Sequence, residues 1–385
     1  MFAIKKHILA WGLALSLLLT GCASLLERSY SASNPHVDRP TVAEDPSVLR
    51  VENYRELVSA VLYLVSQGVE EGVIQLHDYT GTVEADLNGA CAEVAKEDPL
   101  GAYCVDYIKH EYIRVVSDYQ ATLEICYRRT PEQVRSMVNV TGTGAIRTEL
   151  QEALAQFADQ VVLRVAYFSE DEASIEALVR QAYYDTPAAA LGLPQVEISL
   201  YPDSGRERVV EISLTYPEGA EELRRKGEAL SQVLKELPIP GQTGTAPVFL
   251  GTPEERARQS LELLWTVAVY APDGGSTTYD ALVAGVADGE GMALGYALLA
   301  EAAGIKSQVV EGERNGLPHF WIGLELEEEE RYLDPSEGTG SLRTAQELSG
   351  AGYRWRDGPE EPETGLGAEG RAGMGRTLEK ERKIQ

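Results

Sequence analysis

The chain has 385 residues and is 44% hydrophobic, enough to bury roughly two or three cores. Its formal net charge of -27 and sequence pI of about 4.6 are unbroken by any basic patch, which excludes a nucleic-acid partner. Four cysteines are too few for a disulfide scaffold at this length, and no spacing of His, Cys, Asp or Glu suits a metal, a calcium loop or a cofactor.

Lys5, Lys6 and His7 precede an apolar run from Ile8 to Leu19. The run is too short for a comfortable membrane span and suits the h-region of an export signal over residues 1–21. It ends in Leu19-Thr20-Gly21-Cys22, which resembles the bacterial lipobox. That resemblance implies cleavage before Cys22, acylation of its thiol, and a protein held by lipid on the outer face of the cell membrane, with the membrane as a partner. Residues 22–48, rich in Ser, Pro and Asp and lacking a sustained apolar period, read as a tether.

Two units of similar pattern are expected next, over 49–130 and 131–236. The first runs YRELVSAVLYLV (54–65), GVIQLHDY (72–79), VEADLNGACAEVAKEDP (83–99) and a strand-turn-strand closing on TLEICYRRTP (122–131). The second runs RTELQEALAQF (147–157), VVLRVAYF (161–168), ASIEALVRQAYYDTP (173–187) and PQVEISLYPDSGRERVVEISLTYPEG (194–219). Helical and alternating periods make each an α-β-α-β-β unit, a small antiparallel-leaning sheet covered on one side by helices. His77 and His110 are isolated in strands and read as packing or surface residues. Tyr183, Tyr184 and Tyr201 suit either a groove or half-buried edges. Cys91 shares the apolar side of its helix with Val83, Leu87 and Val94. One disulfide among Cys91, Cys104 and Cys126 is chemically open outside the cytoplasm, with nothing to choose the pair.

After the helical EELRRKGEALSQVLKE (221–236), Pro238, Pro240 and a Gly/Thr run break the chain, and 237–250 reads as a linker. In TPEERARQSLELLWTVAVY (252–270), Thr252 is placed to cap a helix and Pro253 suits its first turn. ALVAGVADGEGMALGYALLAEAAGI (281–305) predicts another helix, capped by Asp288, with an apolar stripe through Met292, Leu294, Leu298, Leu299 and Ala302. In LPHFWIGLEL (317–326), alternation puts His319 and Trp321 on one face and Phe320, Ile322 and Leu324 on the other, toward a core. The acidic turn at 327–330 then returns RYLDPSEG (331–338) on the neighbouring antiparallel strand, which brings Asp334 to His319.

These three segments resemble the transglutaminase-like family of papain-like cysteine enzymes. The resemblance covers about 250–340, within a domain expected over 251–356. Its catalytic cysteine falls on Gly289, its histidine on His319 followed by Trp321, and its aspartate on Asp334 followed by Pro335. A thiol on the first turn of a helix is stabilised as thiolate, an imidazole takes its proton, and a carboxylate fixes the ring. Base and orienter are present here, and the attacking atom is missing. Ser276, Thr277, Thr278 and Ser307 are poor substitutes. The fold class is therefore α+β, duplicated α-β-α-β-β units followed by a transglutaminase-like domain. The function expected is a pseudoenzyme, a binding or structural module, with no cofactor. Its former cleft, with Trp321 and Met292, would hold a peptide, cell-wall or protein partner. The alternative is a cell-envelope amide hydrolase with a different nucleophile. Residues 357–385, dominated by Gly, Pro, Glu and Arg, cannot assemble a core and read as a disordered tail.

Overall fold

The computed structural model describes residues 41–42, 48–168, 170–236, 249–327 and 329–359. The export signal, Cys22, most of the expected tether and linker, and the C-terminal tail from 360 lie outside the described residues. No helix among the described residues is long and apolar enough to cross a membrane. The fold is mixed α+β, and its described residues divide into two compact units: those up to 183 with 193–220, and 184–192 with those from 221 onward.

The first unit contains two sheets. In the first, β1 (Thr41–Val42), β2 (Val48–Val51), β3 (Glu71–Leu76), β4 (Val105–Val115) and β5 (Asp118–Tyr127) stand in the order β1-β2-β3-β5-β4. Helix α1 (Tyr54–Gln67) carries the chain from β2 to the parallel β3, and α2 (Val83–Lys96) and α3 (Pro99–Cys104) carry it on to the antiparallel β4–β5 hairpin. Helix α1 starts because the Asn53 side chain accepts the Glu56 amide, and stops because Gly68 takes a left-handed conformation at φ 65°. Leu57, Val61 and Leu64 of α1 and Leu87, Ala90, Cys91 and Val94 of α2 pack with Ile74, Leu76, Leu123 and Ile125 of the sheet in one core.

The second sheet continues through α4 (Pro131–Arg135), β6 (Val138–Val140), α5 (Gly142–Ala155), β7 (Gln160–Val165), α6 (Glu172–Tyr184), β8 (Gln195–Tyr201) and β9 (Arg208–Thr215). Its order is β6-β7-β9-β8, with β6 parallel to β7 and the other pairs antiparallel. The first sheet thus opens two strands earlier than the α-β-α-β-β pattern, with β1 and β2, and the second one strand earlier, with β6; β2 and β6 are each joined to a parallel neighbour by a helix. Neither VLRV nor VNV is long enough to show a period of its own. Cys91, Cys104 and Cys126 are all free thiols.

The second unit is built on an antiparallel sheet of β12 (Lys306–Arg314), β13 (Leu317–Leu326), β14 (Glu329–Leu333) and β15 (Tyr353–Arg354), in the order β14-β13-β12-β15. Before it come α7 (Ala220–Glu236), α8 (Pro253–Val267), β10 (Val269–Gly275), β11 (Val286–Ala287) and α9 (Gly289–Ala302). The short α10 (Ala345–Gly350) precedes β15. Thr252 starts α8 in a reciprocal capping box with Glu255. Helix α9 packs on α8 and across β12 and β13, and ten of its fourteen residues are buried.

Candidate functional site

Helix α9 begins where Asp288 halts the extended backbone. One oxygen of its carboxylate accepts the Gly291 amide at 2.9 Å and the other accepts the Ser276 hydroxyl at 2.5 Å. Gly289 is therefore the first helical residue, at the end where the aligned peptide dipoles point positive. It is half-buried, and a Cβ at this position would lie 3.8 Å from both Cε1 and Nδ1 of His319, with no other group within 4 Å. Glycine is not required there by backbone shape or by crowding. Gly291, two residues on and turned to another side of the helix, is required: a Cβ there would stand 2.6 Å from the Gly275 carbonyl oxygen and 2.9 Å from the Ala287 Cβ.

His319 lies on β13 opposite Gly312 of β12. Ile322 pairs with Leu333 at the end of β14, so the next residue of the chain, Asp334, comes alongside the imidazole. His319 Nε2 is 2.7 Å from Asp334 Oδ2. Asp334 also accepts the Tyr353 hydroxyl at 2.6 Å, the Ser336 hydroxyl at 2.6 Å and the Ser336 amide at 2.9 Å, with the Arg314 guanidinium 3.6 Å away. Asp334 is only 3% exposed. Burial pushes its carboxyl up, and the bonds from His319, Ser336 and Tyr353 more than offset this, holding it below the usual carboxylate range. Burial and the bond to Asp334 raise the Tyr353 phenol above its ordinary value. An ionised Asp334 accepts, so Nε2 carries the proton of that bond, and the other ring nitrogen, Nδ1, faces position 289. In that arrangement a thiol at 289 would lose its proton to Nδ1, with helix and imidazolium stabilising the thiolate.

The structure thus brings Gly289, His319 and Asp334 together. It does not make Trp321 or Met292 the walls of an open groove. Trp321 is 0% exposed, in an aromatic cluster with Tyr332, Leu348, Tyr353 and Trp355, and Met292 is buried in the face of α9 against the core. The His319 face of β13 is covered by this second cluster, as Ile322 and Leu324 are buried on the other face. Tyr353, Ser336 and Arg314 complete the site without any signal in the sequence beyond the serine two residues after Asp334. Tyr184 carries no signal in the sequence that sets it apart from Tyr183 and Tyr201. Its hydroxyl bonds Glu290 at 3.1 Å and its ring meets Phe320 edge-on at 6.0 Å, beside the site.

The neighbouring hydroxyls are engaged elsewhere. Thr277 bonds Asp280 at 2.5 Å, the buried Thr278 bonds the Pro187 carbonyl at 2.7 Å, and Ser276 is held by Asp288. Cys91 and Cys104 are buried in the first unit, and burial pushes both thiols up to about 12. His77 bonds Asp118 at 2.8 Å and His110 bonds Asn88 at 3.2 Å. Among the described residues no three His, Cys, Asp or Glu side chains are grouped to hold a metal.

No protein-family model matches the chain, and no curated protein does. Among solved structures it is similar to a TGase, with 12% identity and a TM-score of 0.26 over 49% of this chain and 54% of that one. It is also similar to a protein assigned as a protease from Parabacteroides distasonis, with 10% identity and a TM-score of 0.19 over 71% of this chain and 43% of that one. The chain spans about half the length of each.

Proposed function

We propose that this chain is a cell-surface lipoprotein whose second unit is a transglutaminase-like fold without its nucleophile, serving as a non-catalytic binding or structural module. The observation that carries the reading is the geometry around His319. Asp334 holds one ring nitrogen at 2.7 Å, while the other faces a helix start that bears no side chain. Every part of a thiolate-generating site is in position apart from the thiol, and the nearby hydroxyls of Ser276, Thr277 and Thr278 are bonded to other groups. The lipobox-like Leu19-Thr20-Gly21-Cys22 supports an anchor in the bacterial membrane through lipid on Cys22. With the additional edge strand β1 set aside, the order β2-β3-β5-β4 and the strand senses of the first sheet parallel β6-β7-β9-β8 of the second, which supports the reading of the front half as two related units. A peptide, a cell-wall element or a protein is the partner that such an amide-recognising fold would retain.

Restoring the sulfur tests this reading. The Gly289→Cys thiol is expected to titrate below the free-cysteine value of about 8.5, in the range of about 3.5–7.5 found for helix-start or imidazole-paired cysteines. Alkylation rate against pH reads it, and the wild-type chain supplies the background from the partly exposed Cys126. An ordinary thiol at 289 would mean that the site no longer has catalytic geometry. Cleavage or cross-linking of amides by the natural protein, abolished by His319→Ala, would overturn the pseudoenzyme itself.

A further inference from the structure

The outer edge of the first sheet carries a pattern unrelated to the site around His319. Strand β4 is eleven residues long and terminal in its sheet, and no strand among the described residues pairs with its outer edge. Tyr107 is 41% exposed, Tyr112 38%, Ile113 63% and Val115 43%. Edge strands are ordinarily blunted by charged side chains, by proline, by a bulge or by a covering loop, and of these β4 carries charges, Asp106, Lys109, Glu111 and Arg114, of both signs. β4 has no proline or glycine, and its irregularity lies at its very start, between Val105 and Tyr107.

Its sequence, VDYIKHEYIRV, is complementary to itself when reversed about His110. Asp106 then faces Arg114, Lys109 faces Glu111, Tyr107 faces Ile113, Ile108 faces Tyr112 and Val105 faces Val115. Every charge meets its opposite and every apolar side chain meets another, as two antiparallel copies related by a twofold axis would require.

The backbone agrees with this register. The hairpin closes through a two-residue turn, Val116-Ser117, between the paired Val115 and Asp118. The pair flanking such a turn is hydrogen-bonded, so odd-numbered residues of β4 turn their amides toward β5, and 108, 110, 112 and 114 turn theirs outward. About His110, outward residues meet outward residues. The nearest shifts of the axis that preserve this amide match would set Lys109 against Lys109 or Glu111 against Glu111. Strand β8, the corresponding edge of the second sheet, reads QVEISLY and holds one charge, Glu197, so no register gives it an opposite-charge pair.

We infer that β4 pairs antiparallel with β4 of a second copy about His110, which joins the two first sheets into one continuous sheet. The test is the oligomeric state of the full-length chain in mild detergent, followed by sedimentation over a range of concentrations. Wild type is expected to dimerise. Lys109→Glu sets glutamate against Glu111 at two symmetric positions, and Glu111→Lys sets lysine against Lys109. Each should weaken the dimer by about tenfold or more. The double variant, which exchanges the two charges, should regain wild-type affinity, and mixing the two single variants should give a heterodimer. His110→Cys should form a disulfide between copies, because facing Cα atoms of a hydrogen-bonded antiparallel pair lie about 5.5 Å apart. Lys109 and Glu111 are exposed, and the contact of Lys109 with Glu124 across the hairpin is a long, solvent-screened 3.9 Å, so unchanged circular dichroism is expected for both single variants. A monomeric wild type overturns the inference. So does a dimer indifferent to the charge changes, as chains sharing only a micelle would be.

Discussion

The two sides of one imidazole are built differently. On the Nε2 side, Asp334 is buried and accepts from His319, Tyr353 and Ser336, with Arg314 close by. The network continues into Glu337, which bonds Arg343 at 2.7 Å and lies 3.1 Å from the Tyr353 hydroxyl. On the Nδ1 side, Gly289 offers a backbone and space. The orienting carboxylate also ties β13, β15 and the chain after β14 together, so the fold has reason to keep it whether or not chemistry occurs. A nucleophile has no such second use. Loss of a side chain at 289 leaves no buried group unbonded, whereas loss at 334 leaves several.

The largest expected effect follows from that asymmetry. Asp334→Ala strands the ring N–H of His319, leaves the Ser336 hydroxyl and amide without their acceptor and reduces Tyr353 to its bond with Glu337, which should destabilise the second unit by about 2–4 kcal/mol. Chemical denaturation measures it. A loss under about 1 kcal/mol would mean that the network is not holding the sheet.

Gly291→Ala comes next. Its methyl group would press on the Gly275 carbonyl and on Ala287, which are backbone and short side chain and cannot swing aside. Overpacking of this kind costs about 1–3 kcal/mol. An unaffected melting temperature would show that β10 and β11 yield at this point and that the helix start is less fixed than its contacts imply.

Acid should erode the same network. The folded-state pKa of Asp334 is depressed, so its stabilisation is fully present above the ordinary aspartate value of about 3.9 and is lost as pH falls through the lower folded value. Asp171, Glu132, Glu222 and Glu347 are lowered too, but they are exposed or half-exposed and screened, while Asp118, half-buried and bonded to His77, is lowered in the first unit and is common to wild type and Asp334→Asn. The wild-type chain should therefore lose more stability between pH 5 and pH 2 than Asp334→Asn does. Parallel curves would assign the acid sensitivity to other carboxylates.

Local signals made α8, α9 and β13 legible, because caps at Thr252 and Asp288 and the alternation around His319 act within a few residues. The meeting of Asp334 with His319 was legible from the acidic turn between their strands, whereas residue 289 joined them only through a resemblance in the order of the three segments. What could not be read is non-local. Trp321 looks like a groove residue on its own strand and is buried because Tyr332, Leu348, Tyr353 and Trp355 arrive from later in the chain. The segment after α6 reads as the end of a helix up to Pro187, yet its carbonyls at Pro187 and Ala190 accept the hydroxyl and amide of Thr278. Such pairings leave no periodic trace.

The smallest effect is the most pointed. Position 289 has helical backbone, no left-handed φ and no neighbour other than an imidazole edge at 3.8 Å. Gly289→Ala should therefore be tolerated, and by reducing the freedom of the unfolded chain it should stabilise the fold by about 0.4–1 kcal/mol. A rise in melting temperature checks this, set beside the fall expected for Gly291→Ala two residues on. Destabilisation by Gly289→Ala would mean that the space beside Nδ1 is needed as it stands, filled by an ordered water or a bound group that a methyl displaces. That result would shift the reading of the site from a disused catalytic position toward a binding position in use.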